Sequence, residues 1–285
     1  MEKYQEVEHS IITTYRNSIW KKFILAICKY ELIKDGDCIA VCISGGKDSM
    51  LMAKCFQELS NHGKKNFELR FLVMDPGYNE INRRTVERNA KILNVPIEIF
   101  ESKIFDTVSN TDSSPCYLCA KMRRGYLYSH AKAMGCNKIA LGHHFDDVIE
   151  TIFMGIVYNG RVQTMMPKLH STNFKEMELI RPLYFVEEAS IINWRNYNKL
   201  SFIQCACKLT DSCSNGCGTI SSKRFETKLL IRKLAQSNPA VAKNIFNCVG
   251  NINLDTVIGY KLSGIDYNFL DDYDKILTPP CDSDE

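Results

Sequence analysis

Ser44-Gly45-Gly46-Lys47-Asp48-Ser49 is the string best suited to chemistry in this sequence. It follows the short apolar run 38–43, as expected of a strand buried on both faces, and opens a segment of helical pattern. Glycines let the backbone approach a ligand closely, and the free N–H groups of a helix N-terminus attract phosphate. Ser44 and Ser49 add hydroxyl donors, Lys47 a cation, and Asp48 a carboxylate for Mg²⁺ or a water. The string is not the Walker A pattern, which places Gly-Lys-Ser/Thr after a longer loop. A lone Ser-Gly-Gly would read as an ordinary turn; the whole string at a strand–helix junction reads as a phosphate cradle.

Two further groups carry reactive side chains. Pro115-Cys116-Tyr117-Leu118-Cys119 sets two thiols within reach of one metal or cluster, or makes a redox pair. Lys121, Arg123 and Arg124 follow; they would lower thiolate pKa and grip an anion. Gly142-His143-His144-Phe145-Asp146-Asp147 crowds two histidines and two aspartates where a fourth strand ends and a helix starts. Ligands bind at the carboxyl ends of parallel strands, and the Ser44 loop opens at that same edge. The aspartates could equally be helix caps. Asp75, at the end of the second strand, is a further candidate ATP contact together with Gly142 and His143.

The elements that must position these groups alternate. Strands are expected near 38–43, 67–74, 96–100 and 138–141, and helices over 48–61, 79–94, 117–134 and 146–157. Such alternation implies right-handed crossovers and a doubly wound α/β parallel sheet covered on both faces. Residues 3–33 read as one amphipathic helix, through Ile11, Ile12, Tyr15, Ile19, Phe23 and Ile27. Beyond about residue 160 the pattern loosens, with helices at 187–200 and 223–235 around a Cys/Gly/Ser loop. The expected division is an N-terminal helix (1–34), an ATP-binding α/β domain (35–200), a Cys-rich loop with helices (201–264) and an acidic tail (265–285).

Composition bounds the rest. The 285 residues are 45% hydrophobic and 24% charged, which suits a globular chain and excludes general disorder. No stretch approaches the ~20 apolar residues of a membrane span, and the start resembles no signal peptide. A cytoplasmic protein with no membrane contact is therefore expected. Residues 265–285 hold seven acids and one base; the remainder holds 35 bases against 26 acids, a basic body suited to a polyanionic partner. The tail is expected to be poorly ordered. Thirteen cysteines in a reducing compartment point to metal, cluster or thiol chemistry, not a disulfide scaffold. Cys28, Cys42, Cys55, Cys136 and Cys248 stand singly and read as core packing.

The six-residue string resembles the SGGxDS signature of the PP-loop ATP pyrophosphatase superfamily. Members cleave ATP between the α and β phosphates and activate an oxygen as an adenylate. Together with Pro115-Cys116-Tyr117-Leu118-Cys119-Ala120-Lys121-Met122-Arg123-Arg124-Gly125, Leu141-Gly142-His143-His144-Phe145-Asp146-Asp147, Met166-Pro167-Lys168-Leu169 and Ile180-Arg181-Pro182-Leu183, it resembles the tRNA 2-thiocytidine synthetase (TtcA) family over about residues 20–210. The resemblance implies a PP-loop, adenine nucleotide alpha hydrolase-like fold and ATP-dependent thiolation of cytidine 32 in tRNA. It implies a [4Fe–4S] cluster on Cys116, Cys119 and Cys205, with one iron open for sulfide. It also implies a homodimer, and a sulfur donor such as a cysteine desulfurase or sulfide. Asp48 with Mg²⁺, Asp146, Asp147, Arg123 and Cys205 are the expected catalytic groups. Arg161, Lys168 and Arg181 join Lys121, Arg123 and Arg124 as candidate tRNA contacts.

The sequence departs from that family at Cys207, Cys213 and Cys217. Cys207 is the alternative third ligand, and a zinc site on Cys116, Cys119 and two late cysteines fits the count as well. Three other functions compete: a thiouridine synthetase, a lysidine-type ligase with structural zinc, and a non-catalytic metal-containing RNA-binding protein. The thiouridine relatives usually carry extra N-terminal zinc-binding cysteines, and none stands here before Cys28.

Overall fold

The computed structural model describes residues 1–63, 65–102, 115–203 and 223–273, with backbone alone over 115–121. A six-stranded sheet has the order β3-β2-β1-β4-β6-β5. The strands are β1 Cys38–Ile43, β2 Glu68–Asp75, β3 Ile97–Glu101, β4 Lys138–Ala140, β5 Lys168–His170 and β6 Glu178–Ile180. All neighbours run parallel except β5, which pairs antiparallel with β6. The α/β parallel sheet expected from the alternating pattern is thus present. The short pair β5 and β6 is not legible in the sequence because three-residue strands carry too little periodicity to register.

The chain winds outward from β1 through helix α3 (Lys47–His62), β2, helix α4 (Glu80–Ile92) and β3. It then returns through helix α5 (Pro115–Ala133) to β4 on the other side of β1. The sheet therefore reverses direction between β1 and β4. In open α/β sheets a ligand crevice forms outside the carboxyl ends of the strands at such a reversal. The loops that leave β1 and β4 there are Ser44–Gly46 and Leu141–His144. After β4 come helix α6 (Phe145–Asn159), β5, β6 and helix α7 (Glu188–Tyr197).

The N-terminal segment corrects one expectation. It is not one helix but α1 (Lys3–Ile12), a π-helical turn (Arg16–Trp20) and α2 (Lys21–Lys29). Ile11 and Ile19 are both fully buried. Eight residues advance a regular helix by about 800°, leaving Ile19 about 80° off the face of Ile11. The wider turn absorbs that slip. Thr13 helps break the helix, since its hydroxyl donates to the His9 carbonyl at 2.6 Å. Two buried lysines tie neighbouring elements together. Lys54 donates to Glu8 (2.6 Å) and the Leu93 carbonyl (2.8 Å), and Lys138 pairs with Asp37 (3.0 Å) and Glu178 (2.8 Å).

The chain divides into two compact units, the first ending at Leu230 and the second starting at Ile231. Helix α8 (Lys223–Ser237) spans the division and α9 (Val241–Cys248) follows. The second unit contains a hairpin of β7 (Gly259–Leu262) and β8 (Ile265–Asn268). Its two-residue turn, Ser263-Gly264, has φ of 50° and 85°, the left-handed pair that matches strand twist. Tyr260 and Tyr267 stack across it at 4.9 Å. The poorly ordered tail expected from 265 is therefore corrected in part: 265–271 is hairpin strand and a 3-10 turn, and 274–285 lies outside the described residues.

Candidate functional site

A cavity of about 450 Å³ lies over the sheet reversal. The β1 loop gives it Ser44, the first turn of α3 Asp48 and Ser49, the β4 loop Gly142 and His143, α6 Asp147, and α5 Arg123 and Arg124. Its floor is apolar, with Cys42, Met74, Leu127, Leu141 and Met165. That size and mix suit a nucleotide-sized ligand.

The β1 loop is folded for close approach. Gly45 has φ +82°, and a Cβ there would sit 2.6 Å from Val86 Cγ2 and 2.7 Å from Ile203 Cδ1. Gly142 packs against the first turn of α3, where a Cβ would be 3.1 Å from the Ser49 nitrogen. The Ser44 N–H donates to Ser49 Oγ at 3.1 Å, and Ser49 Oγ donates to the Gly46 carbonyl at 3.0 Å. Lys47 lies between carboxylates, 3.1 Å from Asp48 and 3.4 Å from Glu188. Lys228 pairs with Glu188 in turn.

The β4 loop brings acids together. Buried His144 has its Nε2 3.5 Å from Asp147 and 3.9 Å from Asp48, and its Nδ1 3.8 Å from Asp146. The Asp147 carboxylate accepts the His144 N–H (3.0 Å) and pairs with Arg224 of α8 (3.0 Å). Burial pushes the neighbouring Glu150 carboxyl up, with Arg224 opposing. His143 receives the Nε–H of Arg181 on Nδ1 at 3.4 Å. Burial, then the Arg181 charge, hold the His143 pKa down at about 4.

Several expected site residues have other engagements. Asp146 accepts the N–H of Glu188 at 2.7 Å, and so caps α7 from a distant loop. Asp146→Ala should therefore cost about 1 kcal/mol of stability and leave ATP affinity within about threefold; thermal unfolding and nucleotide titration check this. A loss of binding above tenfold would give Asp146 a direct role. Asp75 does not line the cavity. Its carboxylate accepts the N–H groups of Gly77 (2.8 Å) and Tyr78 (2.6 Å) and pairs with Arg83 (2.7 Å). It shapes the turn that carries Tyr78, whose hydroxyl donates to the Ser44 carbonyl at 3.1 Å. Arg181, a candidate tRNA contact, is 6% exposed and lines the cavity. Lys168 donates to the Glu31 carbonyl and faces Glu178 at 3.6 Å, away from the cavity lining. Arg161 is exposed.

Burial alone would raise the Asp75 carboxyl; the hydrogen bonds and Arg83 outweigh it and hold it below the usual range. Asp37, Glu178 and Glu188 are also held low, against the effect of burial, by Lys138 or Lys228 among their partners. A depressed carboxyl contributes stability above the ordinary carboxylate range and loses it as pH falls through the folded-state values. Stability against urea should thus fall as pH drops through about 4, with a shallower loss in Asp75→Asn. An unchanged slope in that variant would show that Asp75 contributes none of the pH dependence.

Cys116 and Cys119 stand in the first turns of α5, where only backbone is described; with Arg123, their i, i+3, i+7 spacing puts three positions on one helix face. Lys121 shares that limit, and Cys205, Cys207, Cys213 and Cys217 lie outside the described residues. The flanking residues, however, are described. Ile203 packs at Gly45, and Arg224 holds Asp147. Among the described residues no group of three or more His, Cys, Asp or Glu could hold a metal. Cys42 and Cys136 are buried and their thiols are pushed up to about 12, as inert packing requires. Cys28 is exposed, which corrects its reading as core. Sequence reasoning missed Tyr78, Glu188, Arg224 and Lys228; each meets the site only through tertiary packing and carries no local motif.

The model of the PP-loop domain family matches residues 16–212. The chain belongs to the PP-loop family. Relatives of this PP-loop protein include the tRNA-cytidine(32) 2-sulfurtransferases of Citrifermentans bemidjiense, 32% identical over 87% of this chain and 93% of the relative, and of Coxiella burnetii, 35% identical over 83% and 90%. Among solved structures, the U34-tRNA thiolase NcsA from Methanococcus maripaludis with its [4Fe–4S] cluster superposes with a TM-score of 0.63 at 20% identity, covering 91% of this chain and 88% of that one. At that identity the likeness shows a shared PP-loop fold.

Proposed function

We infer that the protein is an ATP-dependent tRNA sulfurtransferase that converts cytidine 32 to 2-thiocytidine. The observation that carries this reading is one cavity at the sheet reversal, walled by both the SGGKDS loop and the HHFDD loop, in a chain 32–35% identical to tRNA-cytidine(32) 2-sulfurtransferases over nearly their whole length.

ATP lies over residues 44–49, its phosphates held by loop N–H groups and the N-terminus of α3. Mg²⁺ would take the carboxylates of Asp48 and Asp147. The cytosine O2 attacks the α-phosphorus and pyrophosphate leaves. Arg123 and Arg124 face the charge that builds on the phosphoryl oxygens. The base must leave its stack first, which costs less in a loop than in a duplex. Sulfur then attacks C2 and AMP departs. Cys116, Cys119 and Cys205 would hold a [4Fe–4S] cluster, which would supply an iron without a protein ligand as a place for inorganic sulfide, the sulfur source in this reading. The helical face shared by positions 116, 119 and 123, and the contacts of Ile203 and Arg224 at either end of the Cys-rich segment, support that ligand set. No described helix is long and apolar enough to cross a membrane, and a tRNA substrate suits a cytoplasmic, homodimeric enzyme of the kind the resemblance implies.

Anaerobically purified protein given ATP, Mg²⁺, sulfide and tRNA should form 2-thiocytidine with one AMP and one pyrophosphate per base. ADP as product, or turnover without tRNA, would contradict this reading.

A further inference from the structure

We propose that Arg181 is a positioning residue that fixes His143 as its neutral Nε2–H tautomer, so that His143 meets the substrate as a hydrogen-bond donor and not as a base. The proposal rests on the reading of this cavity as the adenylation site and adds a role for two of its residues.

The register of the sheet brings the pair together. β4 and β6 are parallel neighbours, with Ala140 beside Ile180, and the Leu141 N–H donates to the Ile180 carbonyl at 3.0 Å. Arg181 follows β6 directly, and His143 is three residues beyond the end of β4. The arginine is buried and locked: its N–H donates to the Pro167 carbonyl at 2.9 Å, and its guanidinium also donates to the Met166 carbonyl. Its Nε–H then reaches His143 Nδ1 at 3.4 Å. A guanidinium is a donor only, so the ring nitrogen facing it must offer a lone pair. A neutral imidazole with Nδ1 as acceptor carries its proton on Nε2.

The surroundings keep the ring neutral. Arg181, Arg224 of α8 and His144 of the same loop all oppose a second proton; Asp147 of α6 favours one. Asp147 is itself engaged by the His144 N–H and by Arg224. Burial adds to the opposition.

The chemistry has no need of a base at this position. The O2–phosphorus bond forms from a cytosine lone pair, the bond to the bridging oxygen breaks, and its electron pair leaves with pyrophosphate. No proton moves. What changes is charge on phosphoryl oxygens, and a fixed donor stabilises that.

The test reads the tautomer directly. Ring ¹⁵N spectra of the full-length, histidine-labelled protein are recorded from about pH 5.5 to 8, with His143 assigned among the six histidines by the signal lost in His143→Gln. Nδ1 should stay unprotonated and Nε2 protonated throughout. Arg181→Lys, which keeps a cationic donor, should preserve the pattern; Arg181→Met should release it, giving mixed tautomers that titrate nearer the ordinary value of about 6.5. In kinetics, the Gln amide nitrogen sits near the Nε2 position and the Asn nitrogen near Nδ1. tRNA-dependent pyrophosphate release should therefore fall at most about tenfold in His143→Gln but about 10²–10³-fold in His143→Asn. An Nδ1–H tautomer, wild-type titration of His143 between about pH 6 and 7, or equal loss in both variants would overturn the proposal. Only His143→Gln must fold, for the assignment; the wild-type spectrum itself needs no Arg181 variant. Because it needs no turnover either, it separates failure of this inference from failure of the thiolation reading.

Discussion

Gly45→Ala should lower ATP affinity at least about 100-fold and destabilise the protein by about 2–4 kcal/mol. Two costs combine at this residue. Its φ of +82° is a conformation that carries about 1–2 kcal/mol for a residue with a Cβ. The added methyl also lands 2.6–2.7 Å from Val86 and Ile203, so α4 or the segment before the Cys-rich stretch must shift. That movement pushes on the loop whose N–H groups would hold phosphate. Gly135 supplies the control. Its φ is +77° but nothing lies within 4 Å of the position a Cβ would take, so Gly135→Ala should show backbone strain alone and unaltered ATP binding. Nucleotide titration with denaturant unfolding separates the two. Full affinity in Gly45→Ala would put the nucleotide somewhere other than residues 44–49.

Cys116→Ala and Cys119→Ala should each abolish thiolation, by more than about 10³-fold, while ATP binding and tRNA binding stay within about threefold. A cluster on three thiolates cannot hold its geometry on two, whereas the phosphate cradle belongs to β1 and α3 and does not involve α5's first turns. Iron and sulfide content should fall in parallel with activity. A colourless, zinc-loaded protein that still thiolates would replace the cluster with a zinc site. Cys205→Ala with full activity would move the third ligand to Cys207.

The strand–loop–helix units were legible in the sequence because each is locally determined. The run Cys38–Ile43 reads as a strand buried on both faces, and Gly45 and Gly46 mark where backbone must approach something. The roles of single carboxylates were not legible. Asp48, Asp75, Asp146 and Asp147 all sit at loop or helix starts, and only packing tells a free carboxylate from one that caps a remote helix, as Asp146 does for α7. Arg181 is obscured for the same reason: an arginine after a short apolar run looks solvated until β5, β6 and the 160–167 loop enclose it. The N-terminal helix fails as a single element because an eight-residue spacing between Ile11 and Ile19 fits a helical pattern loosely, and the π-helical turn that reconciles it has no sequence mark of its own.

The central claim is tested most directly by nucleoside mass spectrometry of tRNA from cells with and without the gene. The account predicts 2-thiocytidine at position 32 in cells that carry it, its loss on deletion, and its return with the wild-type chain but not with Cys116→Ala. Unchanged 2-thiocytidine after deletion, with a different tRNA nucleoside lost instead, would contradict it.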